Sequence, residues 1–291
     1  NCIFYSNLHG RYHDARRLYS LHQRDRCEHP IQVRGDMRFR LACLVAACLF
    51  LASPSQAAFS ITSLGADGSQ TGATATLATV ASCAAGSTIV VGVSDRNTSI
   101  GSQAVADSAG NTYTRISFTI GNNVIAAFYY AYNITSLVSG ANIQLTKASS
   151  DQGSLSAVCI TGMASGDPLD TAVTNFAGSA AIGQPTVTSG IPSVSGEMFI
   201  GLAATPGGLG AGTEPSGFSA PPDTYETQAA GAGRRVFGGN MVEVGTSAHV
   251  YNPTFATVPN AWAAGIIGIK PAGAAPPPST LHGFGLLGVG G

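Results

Sequence analysis

Arg115-Ile116-Ser117-Phe118-Thr119-Ile120 runs into Gly121-Asn122-Asn123 and then into Val124-Ile125-Ala126-Ala127-Phe128-Tyr129-Tyr130-Ala131-Tyr132. The first run alternates with period two. Ile116, Phe118 and Ile120 fall on one face, and Arg115, Ser117 and Thr119 on the other, which is the pattern of a half-buried strand. Gly and Asn tolerate positive φ, so the three residues that follow suit a tight turn. The second run is apolar and aromatic throughout, as a strand packed on a core would be. The whole stretch predicts a β-hairpin with Ile116, Phe118, Phe128 and Tyr130 pointing inward.

The same grammar repeats on both sides. Short apolar or alternating runs over 59–64, 88–93, 142–146, 154–160, 197–203, 234–244, 248–251 and 261–269 are separated by Gly, Asn, Asp and Pro. Helical periodicity is nearly absent, and no period of 20 to 50 residues repeats. About a dozen short strands without intervening helices predict an all-β fold, an antiparallel β-sandwich of jelly-roll or immunoglobulin-like type. Trp262 joins the expected core. Residues 204–233, rich in Gly and Pro, break the strand pattern. They predict a long irregular segment, either loose on the surface or a binding loop.

The ends read differently. Met37-Arg38-Phe39-Arg40, the apolar run 41–52, and Ser55 and Ala57 at small-residue positions have the layout of a secretory signal peptide over 37–57. The apolar run is short of the roughly 20 residues that a membrane span needs. Met37 is taken as the translation start and residues 1–36, basic and without apolar period, as lying upstream of it. Val45-Ala46-Ala47-Cys48 has the look of a lipidation site, which is the competing reading of the same segment. The β domain is expected over 58–270, followed by a Pro/Ala linker over 271–278.

Charge narrows the function classes. After residue 57 the chain carries six Lys and Arg against eleven acids, leaving about five net negative charges. Nucleic-acid binding needs a basic footprint and is excluded on that ground. Only Cys83 and Cys159 remain in the expected mature chain. In an oxidising compartment they could bridge; the alternative is two buried thiols packing as small apolar groups.

Catalytic patterns are scarce. A Ser-His-Asp arrangement needs a histidine beside a serine; between residues 58 and 270 there is one histidine, His249, on a predicted strand, and no Gly-x-Ser-x-Gly elbow. Glycosidase chemistry needs two carboxylates across a sugar, and Glu197 with Glu243 is the best pair. Asp107-Ser108-Ala109-Gly110-Asn111 and Asp167-Pro168-Leu169-Asp170 read first as turns and only second as cation ligands. No metal site and no cofactor is expected. For a sugar-binding role the aromatics Tyr113 and Tyr129 are the candidates, Tyr129 because it lies on the strand face opposite Phe128 and Tyr130.

Pro276-Pro277-Pro278-Ser279-Thr280-Leu281 is followed by the Gly/Leu tract 283–291. This tail resembles the PEP-CTERM sorting signal of Gram-negative bacteria, with Pro277 where the family usually has Glu and with His282 inside the otherwise apolar tract. The resemblance implies processing by an exosortase-type enzyme, after signal peptidase at the other end. It also implies delivery to the cell surface or exopolysaccharide matrix, with transient anchoring through the segment starting at residue 279. Val105 to Tyr113, a Val-x-Asp-x-x-Gly-Asn-x-Tyr hairpin, is similar to one in bacterial and phage surface sandwiches. Together these readings predict an exported, non-enzymatic structural protein associated with exopolysaccharide or biofilm. A carbohydrate-binding module is the alternative, and a secreted glycoside hydrolase or lyase is the more distant one.

Overall fold

The structure is a computed structural model that describes residues 58–147, 150–207, 209–210, 212–220, 234–242 and 246–273. The predicted signal segment, most of the linker, the sorting motif Pro276–Leu281 and Glu243 lie outside the described residues.

The described chain is all-β. Its strands are β1 (Ser60–Gln70), β2 (Thr74–Ala78), β3 (Thr88–Asp95), β4 (Ala104–Asp107), β5 (Thr114–Ile120) and β6 (Ile125–Ala131). There follow β7 (Asn142–Thr146), β8 (Gly153–Thr161), β9 (Leu169–Ser179), β10 (Val187–Thr188) and β11 (Met198–Pro206). The last are β12 (Gly212–Thr213), β13 (Arg234–Val242), β14 (Val250–Tyr251), β15 (Thr254–Phe255) and β16 (Trp262–Ile269). No helix among the described residues is long and apolar enough to cross a membrane.

Three antiparallel sheets carry the fold. A five-stranded sheet has the order β1-β8-β3-β6-β5, a four-stranded sheet β13-β11-β16-β9, and a three-stranded sheet β2-β7-β4. Two short ribbons, β10-β14 and β12-β15, complete the pairing. The five-stranded sheet is buried on both faces. Ile89, Val91 and Val93 of β3 join Leu77, Val105, Ile143 and Leu145 in a first core against the three-stranded sheet. Val90 on the opposite face joins Phe128, Tyr130, Ile200, Leu202 and Ile267 in a second core against the four-stranded sheet. The outer face of that sheet carries a third core of Phe199, Phe237, Tyr251, Phe255 and Trp262, into which the ribbons fold.

This stacking explains why 88–93 and 261–269 read as continuous apolar runs. A strand with core on both sides has no polar face to show, so the alternation disappears. Close sheet-to-ribbon contact also demands small residues: a Cβ at Gly201 would stand 2.2 Å from the Tyr251 ring.

The hairpin at 115–132 forms as expected, β5 pairing antiparallel with β6. Asn122 and Asn123 take φ of 42° and 64° in its turn. One expectation is corrected. A β-bulge separates Arg115, opposite Tyr129, from Ser117, opposite Phe128. The extra residue, Ile116, lies against the second core, whereas Ile120 lies against the first. An inserted residue inverts the alternation beyond it. Phe118 therefore leaves the face of Ile116 and is 36% exposed, with the Arg115 guanidinium 5.5 Å over its ring. Phe128, Tyr130 and Trp262 are buried as predicted.

Of the predicted irregular segment 204–233, residues 221–233 lie outside the described residues, and the described part up to residue 220 is tied to the sheets. β11 continues to Pro206, and Gly212–Thr213 pairs with Thr254–Phe255. Leu209 and Phe218 are buried in the third core, and Ser219 bridges to Asn240. These two apolar anchors, nine residues apart, hold a Gly/Pro-rich strap against the sheet even though it has little strand pattern of its own.

Candidate functional site

At one end of the five-stranded sheet three connections converge: the loop after β3, the β5–β6 turn and the β7–β8 turn. They surround a polar cleft of about 290 Å³ lined by Arg96, Asn97, Thr98, Asn123 and Asp151. Arg96 Nε lies 3.6 Å from Asp151 Oδ2, and the two side chains are 48% and 43% exposed. The lining thus offers a guanidinium, a carboxylate, two carboxamides and a hydroxyl, and no aromatic ring.

The cleft stands on a buried hydrogen-bonded base. Asp95 ends β3 and is fully buried. Its Oδ1 accepts the Arg96 amide at 2.8 Å, and its Oδ2 accepts Gln103 Nε2 at 2.9 Å. The Tyr129 hydroxyl lies 3.0 Å from Gln103 Oε1 and 3.1 Å from the Gln103 carbonyl. Lys147 is buried and donates through Nζ to the Asp151 carbonyl. Only glycine at 153 leaves room for this: a Cβ there would stand 2.7 Å from Lys147 Cδ. Burial raises the Asp95 pKa, with Gln103, the Arg96 amide and Lys147 opposing the rise. Burial lowers that of Lys147, opposed by Asp95 and Asp151. The loop itself is pinned by Asn97, whose Oδ1 accepts the Thr98 and Ser99 amides at 2.7 and 3.2 Å. A polar network of this kind, satisfied at each step, holds the groups above it in one arrangement.

A second titratable cluster lies at the start of β9 and β11. Glu197, one residue before β11, is fully buried. Its Oε1 accepts Ser193 Oγ at 3.3 Å and the Val194 amide at 3.2 Å. The Asp170 carboxyl stands beside it, accepting the Ala172 amide at 3.0 Å and the Ser193 amide at 2.9 Å. Glu197 Oε2 is buried and makes no other hydrogen bond, so its proton is left to interact with the Asp170 carboxyl. Burial, then the Asp170 carboxyl, push the Glu197 pKa up to about 7. Asp170 is displaced the other way: burial raises it, but hydrogen bonds from Glu197, Ser193 and the Ala172 amide outweigh burial and hold it low. One proton on Glu197 and a charge on Asp170 is the state these environments favour. Glu214, after β12, is likewise pushed to about 7 by burial, opposed by the Tyr251 hydroxyl.

The predicted site residues fall in different places. Tyr129 is only 2% exposed. The face opposite Phe128 is the first core rather than solvent, so Tyr129 serves as a brace under the cleft and not as a platform for ligand. Tyr113 is half-buried and its hydroxyl donates to Asp107 Oδ2 at 3.0 Å. The exposed aromatics of this hairpin are instead Phe118 and Tyr132, the latter 44% exposed and stacked on Tyr130 at 5.8 Å. Glu197 is fully buried beside Asp170, and Glu243, its predicted partner, lies outside the described residues.

The Asp107–Asn111 stretch forms a turn as read, whereas Leu169 and Asp170 of the second candidate already belong to β9. Asp107 Oδ1 accepts the Ala109 and Asn111 amides, both at 3.0 Å, and Oδ2 accepts Asn111 Nδ2 at 2.8 Å, while Gly110 has φ 75°. Asp167 Oδ1 caps the Leu169 amide at 3.0 Å and Oδ2 accepts the Tyr130 hydroxyl at 3.0 Å. His249 is half-buried with its ring 4.9 Å from Phe199; the nearby Ser189 Oγ accepts the His249 main-chain amide and donates to the Gly190 carbonyl. Cys83 and Cys159 are bridged, with Cα atoms 5.6 Å apart. Among the described residues, no group of three or more His, Cys, Asp or Glu is placed to hold a metal ion.

Sequence reasoning passed over Asp95 and Lys147, and read Asp170 as part of a turn or, second, as a cation ligand rather than as the partner of Glu197. The signal was present but faint: Asp95 and Glu197 are acids abutting long apolar strands, and the register that brings them partners is non-local. Comparison with protein-family models, with curated protein sequences and with solved structures finds no match to this chain. The class defined by fold and site is therefore an all-β, disulfide-tied, multi-sheet protein with a polar loop-end cleft.

Proposed function

We propose that this chain is an exported, non-enzymatic structural protein of the cell surface or the extracellular polysaccharide matrix. The observation that carries the reading is the Cys83–Cys159 bridge, which ties the segment before β3 to β8, the neighbour of edge strand β1 in the five-stranded sheet. Such bridges persist outside the reducing cytoplasm. They suit a domain with three apolar cores in series, a construction that gives rigidity. The signal-like segment 37–57 and the sorting-like tail from Pro276 supply the route, through signal peptidase and an exosortase-type enzyme. The test is expression of the full chain in a Gram-negative host. Recovery in the surface or medium fraction, shortened after Ala57 and lighter by two thiol hydrogens, supports the reading. Cytoplasmic, uncleaved protein with free thiols overturns it, and a mature start at lipidated Cys48 replaces secretion by lipid anchoring.

A second reading is favoured by the cleft at Arg96 and Asp151. A surface protein that presents such a polar cavity on braced loops is suited to hold a matrix carbohydrate, and a glycan array tests it.

A further inference from the structure

The cleft's chemistry selects one ligand class. We propose that Arg96, Asn97, Thr98, Asn123 and Asp151 form a binding subsite for one uncharged pyranose ring of a polysaccharide. The inference rests on the carbohydrate-binding reading and adds to it the place and the chemical class.

The argument is by donor and acceptor. A simple anion would meet Arg96 but also the Asp151 carboxylate beside it, 3.6 Å from the guanidinium. A bare cation would meet Asp151 but also Arg96. A neutral polyol uses both. Each sugar hydroxyl is at once donor and acceptor, so adjacent hydroxyls can donate to a carboxylate while accepting from a guanidinium or carboxamide. The cleft volume, about 290 Å³, lies at the lower end of the usual range for small-ligand sites, which suits one ring rather than a longer chain segment. The lining groups come from three separate connections, and the Asp95–Gln103–Tyr129 chain beneath fixes the first of them. Such preorganisation reduces the ordering cost that otherwise cancels weak polar contacts. The absence of an aromatic ring from the lining sets the strength: binding of one ring is expected with Kd on the order of 1 mM.

The experiment is an NMR titration of the isotope-labelled disulfide-bonded domain with neutral hexoses, with glucuronate, with inorganic phosphate and with calcium chloride. A glycan array is run in parallel. The expected result is saturable amide shifts at Arg96–Thr98, Asn123 and Asp151 with at least one neutral hexose. Arg96→Met and Asp151→Asn should each weaken it about tenfold or more; the Asn keeps an Oδ1 for the Gln152 amide, which Asp151 now accepts at 3.0 Å. Unchanged melting temperatures show both variants folded. Shifts at these amides from phosphate, glucuronate or calcium but from no neutral hexose overturn the assignment of ligand class. Glycan binding that both folded variants retain overturns the site while leaving carbohydrate binding intact. No sugar response in either assay overturns the carbohydrate reading and this subsite together, and leaves the structural proposal standing.

Discussion

Replacing Glu197 by Gln tests whether a proton is stored at the edge of the third core, on the face of the four-stranded sheet where Val173 lies. The folded protein holds the Glu197 proton more tightly than the unfolded chain does, because its pKa rises from 4.5 to about 7. Each tenfold change in proton affinity is worth about 1.4 kcal/mol, so the displacement amounts to about 3 kcal/mol. The sign follows from linkage. This contribution is fully present below about pH 4.5, declines as pH rises, and is gone once pH passes about 7. Asp170 does not interfere: its pKa is lowered from 3.8, so it is ionised in both states across that window, and its own contribution is lost only as pH falls below it. Glu214 titrates in the same window, so wild type alone is not diagnostic, and the difference between wild type and variant is the quantity to read.

Gln at 197 keeps a donor toward Asp170 and an acceptor for Ser193 and Val194, and it does not titrate. Urea unfolding of both proteins between about pH 4.5 and about pH 8 should show the variant gaining on wild type by about 3 kcal/mol across the range. At the acid end the two should agree within about 1 kcal/mol. A difference that stays constant with pH would refute the shared-proton account and leave Glu197 a merely buried polar residue.

Three further outcomes are expected. Removing the disulfide as Cys83→Ala with Cys159→Ala should cost about 4.5 kcal/mol in the chain-entropy account for a separation of 76 residues, read as a lower urea midpoint; a loss under about 1 kcal/mol would show the bridge to be peripheral. Phe218→Ala should cost about 3 kcal/mol, because the ring is buried in the third core and stacks edge-on against Tyr251 at 5.0 Å; a neutral result would mean the strap does not dock. Gln103→Leu should destabilise by about 2 kcal/mol, since it removes the donor to buried Asp95 Oδ2 and one of the two acceptors beside the Tyr129 hydroxyl. Hydrogen exchange at Arg96 and Thr98 should quicken in that variant, and unchanged exchange would deny the brace its role.

Much of the fold was legible locally. The Gly121-Asn122-Asn123 turn, the alternation before it and the Gly110 turn after Asp107 are set by φ preferences and side chains a few residues apart, so sequence order carries them. The β9 strand Leu169–Ser179 was not legible, because its exposed and buried positions alternate too weakly to stand out from a loop. Phe118 was misplaced for a related reason. Period-two reasoning assumes that no residue is inserted, and the bulge at Ile116 exists only because β5 must stay in register with β6.

Sequence alone determined an antiparallel all-β chain, short of basic charge, with only two cysteines in its expected mature part. Those properties depend on composition and near-neighbour pattern. Only the tertiary structure decided that a five-stranded sheet has core on both faces, and this one fact moved Tyr129 from a solvent-facing site to a buried brace. It also decided which acids meet. Asp170 and Glu197 are 27 positions apart in the chain, and Arg96 and Asp151 come from different connections. A carboxyl's proton affinity and a cleft's lining are set by what surrounds them in space, and no spacing rule along the chain encodes those neighbours.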